Sequence, residues 1–308
     1  MNDTRRAALI AIDWGTTSAR AYRIDGTGAV FAARSAALGI QSLRDQRFAA
    51  ALATLLDDWC DDAAPRIGCG MIGSRQGWIE APYADCPIDL GGLGSVLSHT
   101  PGGELAIVPG VICRDAAGTP DVMRGEETQL AGALLRDDGR LLAVLPGTHS
   151  KWAMIDNGRL LEFATFMTGE LYAVLMEHSI LGRMAAKPAD SVSGGEAFDR
   201  GVARGLAGAG LGHNIFGART LALVGELAPV QVGEWLSGAL IGHEIGAART
   251  WAQERGATKT PVRVIGDHAI VARYLRAFEM VGIQADRGPP DAAAHGLFRI
   301  AQRAGLIH

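Results

Sequence analysis

The chain has 308 residues, of which 48% are hydrophobic and 20% are charged, and its formal net charge is −4 at pH 7. One hydrophobic core usually stops growing near this length, so the chain is expected to form two lobes. The small negative charge and the lack of long Lys/Arg runs argue against a nucleic-acid partner or a membrane surface.

Short apolar runs that end in glycine or aspartate turns predict buried strands in the first part of the chain. These runs cover residues 7–12, 19–24, 29–35 and 66–71. Apolar residues at helical spacing predict a helix over residues 47–61, and another helix is predicted over residues 128–135.

The same order of features starts again in the middle of the chain. Residues 141–145 predict a strand, and residues 147–150 repeat the G-T-x-S pattern of residues 15–18 before a basic residue and a second strand. We interpret this repetition as an internal duplication of one β-hairpin unit.

The remaining chain is more helical. Helices are predicted at residues 170–183, 198–211, 234–253, 270–281 and about 291–304, with a strand at residues 262–265. The sequence therefore predicts an N-terminal lobe over 1–138 and a C-terminal lobe over 139–308. A hinge is expected near residues 130–142, in the turn that contains Asp137 and Asp138.

The cysteines indicate where the protein resides. Cys60, Cys69, Cys86 and Cys113 form no CxxC pair, which favours reduced thiols in a cytoplasmic protein. The N-terminal residues lack the features of a signal peptide, and no apolar stretch reaches the roughly 18 residues of a membrane span. The sequence leaves a homo-oligomer open.

A first candidate site follows the first predicted strand. Backbone N–H groups and hydroxyls of this turn can bind phosphate oxygens, and a carboxylate at the strand end can hold Mg²⁺ through water. The alternative is an ordinary β-turn. The candidate nucleotide-binding residues are Asp13, Gly15, Thr16, Thr17, Ser18 and Arg20, with Asp13 as the metal residue.

The repeated turn gives a second candidate phosphate loop, formed by Gly147, Thr148, Ser150 and Lys151. Gly266 and Asp267 follow a predicted strand, where a glycine allows an adenine ring to lie against the backbone. The alternative in both places is a purely structural turn.

An acidic segment contains the candidate catalytic residues Asp121, Glu126 and Glu127, at the start of a predicted helix. One of these carboxylates could accept the proton of an attacking hydroxyl during phosphoryl transfer. A solvated helix cap is the alternative.

A polar, glycine-punctuated loop follows the strand predicted at 66–71. Arginine can bind a carboxylate through its fork, and Gln and Ser can bind hydroxyls, so this loop is a candidate surface for a small ligand. An incidental surface loop is the alternative. The candidate substrate-binding residues are Ser74, Arg75, Gln76, Gly77, Trp78 and Tyr83.

The order of these motifs closely resembles the 2-dehydro-3-deoxygalactonokinase family of the sugar kinase, Hsp70 and actin superfamily. The motifs are D-W-G-T-T-S-A-R, I-G-S-R-Q-G-W, D-V-M-R-G-E-E-T-Q, P-G-T-H-S-K-W and F-M-T-G-E-L-Y. The resemblance implies an α/β, actin-like ATPase fold of two RNase-H-like lobes, each a mixed β-sheet flanked by helices, with an ATP cleft between them. It also implies that ATP and Mg²⁺ serve to phosphorylate the 6-hydroxyl of 2-dehydro-3-deoxy-D-galactonate, in D-galactonate catabolism.

The resemblance also implies residue roles. Related sugar kinases have a catalytic Asp where this chain has Glu126, so the base stays open among Glu126, Asp121 and Glu127, with Glu126 preferred. We expect Arg75 to bind the carboxylate of the sugar acid. The other residues expected to line the pocket are Gln76, Trp78, Tyr83 and Thr168.

Three alternatives stay open at this point. A kinase of the same fold could act on another sugar or sugar acid, such as 2-dehydro-3-deoxygluconate or an amino sugar. A non-catalytic sugar-sensing regulator would usually carry an added DNA-binding segment, which the sequence does not suggest. A filament-forming or chaperone ATPase is less compatible with the compact length and the polar 74–83 loop.

Overall fold

The structure is a computed structural model that describes residues 6–43, 47–60, 63–134, 139–186 and 195–308. Its strands are β1 (Leu9–Trp14), β2 (Ala19–Ile24), β3 (Val30–Ala36), β4 (Arg66–Gly70), β5 (Tyr83–Asp85), β6 (Ile88–Asp89), β7 (Ser98–His99), β8 (Ala106–Ile107), β9 (Gly110–Arg114), β10 (Pro120–Met123), β11 (Arg140–Leu145), β12 (Ser150–Asp156), β13 (Arg159–Phe166), β14 (Val262–Val264) and β15 (Ala285–Arg287). Its α-helices are α1 (Phe48–Leu56), α2 (Glu126–Ala133), α3 (Thr168–His178), α4 (Glu196–Leu206), α5 (Leu211–Leu223), α6 (Val232–Glu254), α7 (His268–Met280) and α8 (Ala292–Arg303).

The chain folds into two compact units. The first consists of Met1–Gly139, Met154–Phe163 and Pro289–His308, and the second of Arg140–Ala153 and Ala164–Gly288. The lobes predicted from the sequence, 1–138 and 139–308, differ from this division because two later segments belong to the first unit. Asp137 and Asp138 of the expected hinge lie outside the described residues.

The first unit contains a six-stranded sheet in the order β3-β2-β1-β4-β8-β7 and a three-stranded sheet in the order β10-β9-β5. β1 pairs antiparallel with β2 and parallel with β4. This register places Asp13 opposite both Arg20 and Cys69. The central strand of the large sheet therefore ends in a carboxylate with a cation on one side and a thiol on the other.

Alternation along β1 assigns its side chains to two faces. Ile10, Ile12 and Trp14 belong to a buried cluster that includes Phe48 and Leu52 of α1. Asp13 therefore lies on the opposite face of the sheet. Helix α8 contacts β1, β2 and β4, and it also packs closely against α2. Helix α2, which carries the two candidate glutamates, is thus fixed by the C-terminal helix of the chain.

The strands β15, β14 and β11 lie wholly in the second unit and are neighbours in that order in one sheet. β14 pairs parallel with β11, and β15 pairs parallel with β14. Helix α6 is largely buried and packs against α3, α4, α5 and α7. Its residues Trp235, Leu236, Ala239 and Leu240 form the centre of an apolar cluster. A glycine- and alanine-rich helix thus becomes the core of this unit, because small side chains allow its neighbours to approach closely.

Three predicted helices end earlier in the structure than expected, and the one predicted over 170–183 ends at His178. The helix predicted over 47–61 ends at Leu56, because Asp57 adopts a φ of 50° and residues Asp57–Trp59 form a 3-10 turn. The helix predicted over 198–211 ends at Leu206, and α5, which was not predicted, then begins at Leu211. The break begins at Ala207, which is extended with a ψ of 132°, and Gly210, with a φ of 84°, directly precedes α5. Within the described ranges, no helix is long and apolar enough to cross a membrane.

Candidate functional site

The loop between β1 and β2 turns its carbonyl groups toward the protein. The N–H of Gly15 donates to the Ser18 carbonyl at 2.9 Å. The backbone N–H groups of Gly39, Ile40 and Gln41 donate to the carbonyls of Thr17, Gly15 and Thr16 at 3.1–3.2 Å. Thr16 and Thr17 are exposed. Since all four carbonyls of the loop are used, its exposed side presents amide N–H and hydroxyl groups, which suit an anionic ligand.

Asp13 lies next to this loop. Burial raises the pKa of its carboxyl, the guanidinium of Arg20 lowers it, and the carboxylate of Glu126 raises it again. The thiol of Cys69 is 3.9 Å from Asp13 Oδ1. Two acidic groups that repel each other at the end of a sheet form a site where a cation would be stabilised.

The approach of Glu126 to Asp13 depends on two glycines. Gly70 ends β4 with a φ of 87°, and Gly125 precedes α2 with a φ of 103°. A Cβ on Gly125 would lie 3.2 Å from the Cα of Gly70. Because side-chain-bearing residues rarely adopt these backbone conformations, glycine at both positions lets the start of α2 reach the end of the sheet.

The three candidate carboxylates occupy different environments. Glu126 is half-buried and accepts the Arg124 N–H at 3.0 Å. Glu127 is fully buried, and it accepts the Gly125 N–H at 2.6 Å and the Thr128 hydroxyl at 2.8 Å. Burial, followed by the charge of Glu126, raises the pKa of Glu127 to about 8. Asp121 lies on β10, opposite Cys113 of β9.

The polar loop after β4 is closed by its own backbone. The N–H of Trp78 donates to the Ile72 carbonyl at 2.9 Å, and the N–H of Ala81 donates to the Gly73 carbonyl at 2.9 Å. Arg75 and Gln76 are exposed at the tip, whereas Gly77 is half-buried. Trp78, which was predicted to line the substrate pocket, stacks on Phe48, with ring centroids 6.2 Å apart and an interplanar angle of 13°. The indole of Trp78 therefore completes the apolar core beneath the loop.

Arg124 is a polar residue to which the sequence patterns assigned no role. One guanidinium nitrogen, Nη2, donates to the Ala81 carbonyl at 2.8 Å, and the guanidinium carbon lies 4.5 Å from the centre of the Tyr83 ring. Tyr83 is 41% exposed. The signal available in the sequence was one arginine within an otherwise acidic segment.

In the second unit, the loop between β11 and β12 is only partly exposed. Gly147 and Thr148 are exposed, but Ser150 and Lys151 are buried. Ser150 Oγ is 3.0 Å from the hydroxyl of Tyr274, and Lys151 Nζ donates to the His149 carbonyl at 3.0 Å. Of these four candidates, the loop residues Gly147 and Thr148 can meet a ligand directly, whereas Ser150 and Lys151, the first residues of β12, stabilise the loop from below.

The start of α3 supports the same loop. The N–H of Glu170 donates to the Thr148 carbonyl at 2.9 Å, and the Glu170 carboxylate pairs with His149. The Thr168 hydroxyl donates to the carboxylate of Glu244 on α6. Thr168, predicted to line the substrate pocket, thus has its hydroxyl directed to a buried acid.

Glu244 is a second residue that the sequence patterns did not indicate. It is 1% exposed and also accepts the Trp152 indole N–H and the Tyr274 hydroxyl, each at 2.7 Å. Burial raises its pKa, and hydrogen bonds from Thr168, Trp152 and Tyr274 lower it. The signal in the sequence was a carboxylate in the middle of a long helix of mostly small and apolar residues.

A cavity of about 190 Å³ adjoins this loop within the second unit. Its wall contains Arg273, which pairs through two nitrogens with Glu234 at 2.6 and 2.9 Å. Gly266 has a φ of 146°, and Asp267 caps α7 by accepting the Ala269 N–H at 2.9 Å. The cavity is lined by Gly147, Thr168, Gly169, Tyr172, Ser237, Leu240, Ile241, Ile270, Arg273 and Tyr274.

The side chains around Asp13 can be compared with the ligands that Mg²⁺ requires. Among the described residues, no cluster of three or more His, Cys, Asp or Glu side chains could hold a metal ion. Mg²⁺ in phosphoryl-transfer sites uses one or two carboxylates and completes its shell with water and phosphate oxygens. Asp13 beside Glu126 fits that requirement, since their mutual repulsion would be relieved by a divalent cation.

Comparisons with known proteins cover most of the chain. A family model described as 2-keto-3-deoxy-galactonokinase matches residues 13–300. The chain is 36% identical to a 2-dehydro-3-deoxygalactonokinase of Escherichia coli K12 over 287 residues, which are 93% of this chain and 94% of that protein.

Solved structures are similar as well. The crystal structure of a candidate 2-dehydro-3-deoxygalactonokinase from Sinorhizobium meliloti matches with a TM-score of 0.86 and 36% identity, covering 96% of this chain and 98% of that one. Component A of the (R)-2-hydroxyglutaryl-CoA dehydratase of Acidaminococcus fermentans matches with a TM-score of 0.51 and 14% identity, over 96% of this chain and 98% of that one. This second likeness concerns the fold alone.

Proposed function

Because this chain belongs to the 2-keto-3-deoxy-galactonokinase family, we propose that it transfers the γ-phosphate of ATP to the 6-hydroxyl of 2-dehydro-3-deoxy-D-galactonate. The family match over residues 13–300 carries this proposal, since it includes both candidate phosphate loops and the acidic segment. The products are ADP and 2-dehydro-3-deoxy-6-phospho-D-galactonate, and the reaction belongs to D-galactonate catabolism. The proposed location is the cytoplasm, as the cysteine content suggests.

Glu126 acts as the general base in this proposal. As the 6-hydroxyl oxygen forms its bond to the γ-phosphorus, the O–H proton passes to the Glu126 carboxylate, and the bond from the γ-phosphorus to ADP breaks. Three observations favour Glu126 over its neighbours: it is half-buried, its charge acts on Asp13, and Glu127 is fully buried with a raised pKa. Asp121 lies on β10, outside α2.

Each unit contains one candidate phosphate loop. The first unit offers the exposed N–H and hydroxyl groups of Thr16 and Thr17, and the second unit offers Gly147 and Thr148. Asp13 would hold Mg²⁺, whose chemistry when bound is to neutralise negative charge on phosphate oxygens. Arg20 lowers the pKa of Asp13 against the effect of burial and so favours the ionised carboxylate that a metal needs.

The nucleoside end of ATP is assigned to the second unit. The cavity of about 190 Å³ beside Gly147 offers the apolar wall of Leu240 and Ile241 together with polar groups. Such a mixture is typical of small-ligand sites. Gly266 and Asp267, at the start of α7, form the neighbouring turn.

The sugar acid is assigned to the loop between β4 and β5. Its exposed residues Arg75 and Gln76 can contact the sugar hydroxyls, and Tyr83 adds an exposed aromatic ring. Thr168 receives a different role from the one expected. Its hydroxyl is donated to Glu244, so the proposed role of Thr168 is to anchor the start of α3, where the Glu170 N–H donates to the Thr148 carbonyl.

The first test is a coupled ADP-release assay with ATP and Mg²⁺. The acceptor panel contains 2-dehydro-3-deoxy-D-galactonate, its gluconate epimer, D-galactonate and N-acetylglucosamine. We expect the first compound to give by far the highest kcat/KM. Preference for another acceptor would overturn the substrate assignment and keep the kinase, whereas no ADP release with any acceptor would contradict kinase activity itself.

A further inference from the structure

Arg124 has buried nitrogen atoms without acceptors. Its Nε and Nη1 are buried and have no hydrogen-bond partner within the described part of the chain. Only Nη2 is used, in the bond to the Ala81 carbonyl. A buried guanidinium that lacks acceptors is costly, and such groups in native proteins usually have a partner that completes them.

A second orphan polar atom lies in the adjoining loop. The hydroxyl of Ser74 is also buried and lacks a partner among the described residues. The loop brings Ser74 toward the arginine, because a Cβ on the preceding Gly73 would lie 2.9 Å from Arg124 Nη1. Two neighbouring segments thus each carry buried polar atoms without a partner among the described residues, and an anion with two acceptor oxygens could satisfy them.

The surroundings of Arg124 hold its side chain in place for such an anion. Its guanidinium lies over the Tyr83 ring, and that ring packs against Gly110, where a Cβ would lie under 3.0 Å from the ring. The backbone N–H of Arg124 donates to the carboxylate of Glu126. Arg124 therefore connects the polar loop with the carboxylate assigned as the base.

We propose that Arg124, assisted by the Ser74 hydroxyl, binds the carboxylate of the sugar acid and so distinguishes acids from neutral sugars. The proposal rests on the proposed function and replaces Arg75 as the carboxylate-binding residue. A guanidinium shielded from water binds a carboxylate more strongly than an exposed one such as Arg75. Tyr83 covers one face of the guanidinium and is 41% exposed, so Arg124 lies directly beneath the surface of the protein.

The test uses the full chain and two acceptors that differ only in charge. These are 2-dehydro-3-deoxy-D-galactonate and its C1 carboxamide, which keeps the shape and loses the charge. We expect Arg124→Gln to raise KM for the acid by about 10- to 100-fold, as the loss of a charge-assisted contact does, with KM for the carboxamide changing by less than about 3-fold. Calorimetric titration of the acid without ATP should show the same loss of affinity.

Three further variants make the result decisive. Arg75→Gln should change KM for the two acceptors by similar small factors, and Arg114→Gln, which alters an exposed arginine of β9, should change neither. Arg124→Lys keeps the charge but not the fork, and we expect an intermediate loss that is still selective for the acid.

Several results would overturn the proposal. Equal losses on acid and carboxamide would assign Arg124 a structural role, as would failure of both Arg124 variants to fold. If Arg75→Gln alone raised KM for the acid and not for the carboxamide, Arg75 would be the residue that binds the carboxylate. If wild-type protein prefers a neutral sugar, the proposed function fails, and that outcome is visible before any variant is made.

Discussion

Glu126 and Glu127 are neighbours in the chain, yet the helix start gives them opposite properties. Glu126 is half-buried near Asp13, whereas Glu127 is fully buried and hydrogen-bonded to Gly125 and Thr128. With a pKa raised to about 8, Glu127 is mostly protonated at pH 7. Of the two glutamates, Glu126 is the one whose side chain is not fully buried, and this difference favours it as the proposed base.

Replacing each of the two glutamates by glutamine should change kcat to a different extent. We expect Glu126→Gln to lower kcat by a factor on the order of 10²–10⁴, because a general base is lost. Glu127→Gln should leave kcat at pH 7 within about 3-fold, since glutamine resembles the protonated acid already present. Steady-state kinetics with saturating ATP measures both. If Glu126→Gln stays active and Asp121→Asn does not, Asp121 is the base.

Glu127 should also make the stability of the protein depend on pH. Its folded pKa of about 8 exceeds the reference value of 4.5, so the folded state binds the proton more tightly than the unfolded state. This contribution is complete below pH 4.5 and is lost as pH rises toward 8. From pH 5 to pH 8, wild type should lose on the order of 3–4 kcal/mol more free energy of unfolding than Glu127→Gln.

Urea unfolding of the two proteins at several pH values measures that difference. The variant also serves as the control, because all other titrating groups are common to both chains. Parallel pH profiles would show that Glu127 is ionised in the folded protein, and they would contradict the raised pKa.

Among the elements, the loop at residues 15–18 depends on a segment that follows β3. Gly39 lies so close to this loop that an added Cβ would come within 3.0 Å of the backbone of Thr16 and Thr17. The N–H of Gly39 also donates to the Thr17 carbonyl. The shape of the first candidate phosphate loop is therefore set by a residue more than twenty positions further along the chain.

Replacing Gly39 by alanine should displace the phosphate loop. We expect kcat/KM for ATP to fall by about 10- to 100-fold, because a small misplacement of phosphate donors is costly. The free energy of unfolding should fall by about 1–3 kcal/mol, as overpacking does. Gly26→Ala is the matched control, since a Cβ there would meet nothing within 4 Å. If Gly39→Ala and Gly26→Ala had the same kcat/KM for ATP and the same free energy of unfolding, Gly39 would not shape the loop.

At the scale of the entire chain, the main feature is that the first unit is built from distant segments. Helix α8 packs against β1, β2, β4 and α2 of that unit. Leu297, Phe298 and Ile300 of α8 are buried. Burial of each such side chain contributes roughly 1.5–3 kcal/mol, so their sum is comparable with the stability of a typical domain.

A chain that ends at Gly288 should therefore lose the cooperative folding of its first unit. Near-ultraviolet circular dichroism and urea unfolding measure this loss, and a synthetic peptide of residues 289–308 should partly restore the signal. A scrambled peptide of the same composition is the control. A shortened chain that unfolds with the wild-type midpoint would show that α8 is dispensable.

The fold class, the family and the main strands could be predicted from the amino-acid sequence. Strand β2 covers the predicted residues 19–24, and the mixed α/β fold and the family resemblance are confirmed by the comparisons. Buried strands with short glycine turns and a repeated G-T-x-S pattern are local features, so they can be read along the chain. The roles of individual site residues stay predictions, which the kinetics of the variants will test.

Which polar side chains are shielded from water became evident only from the folded chain. Lys151 and Ser150 are in a loop by sequence but buried in the fold, and Trp78 packs on Phe48 beneath its loop. The local signals of Arg124 and Glu244 could not assign them a role, because their burial and hydrogen-bond partners come from segments far away in the chain. The same reason explains why α8 joins the first unit, since contacts across the full chain length leave no mark on local sequence patterns.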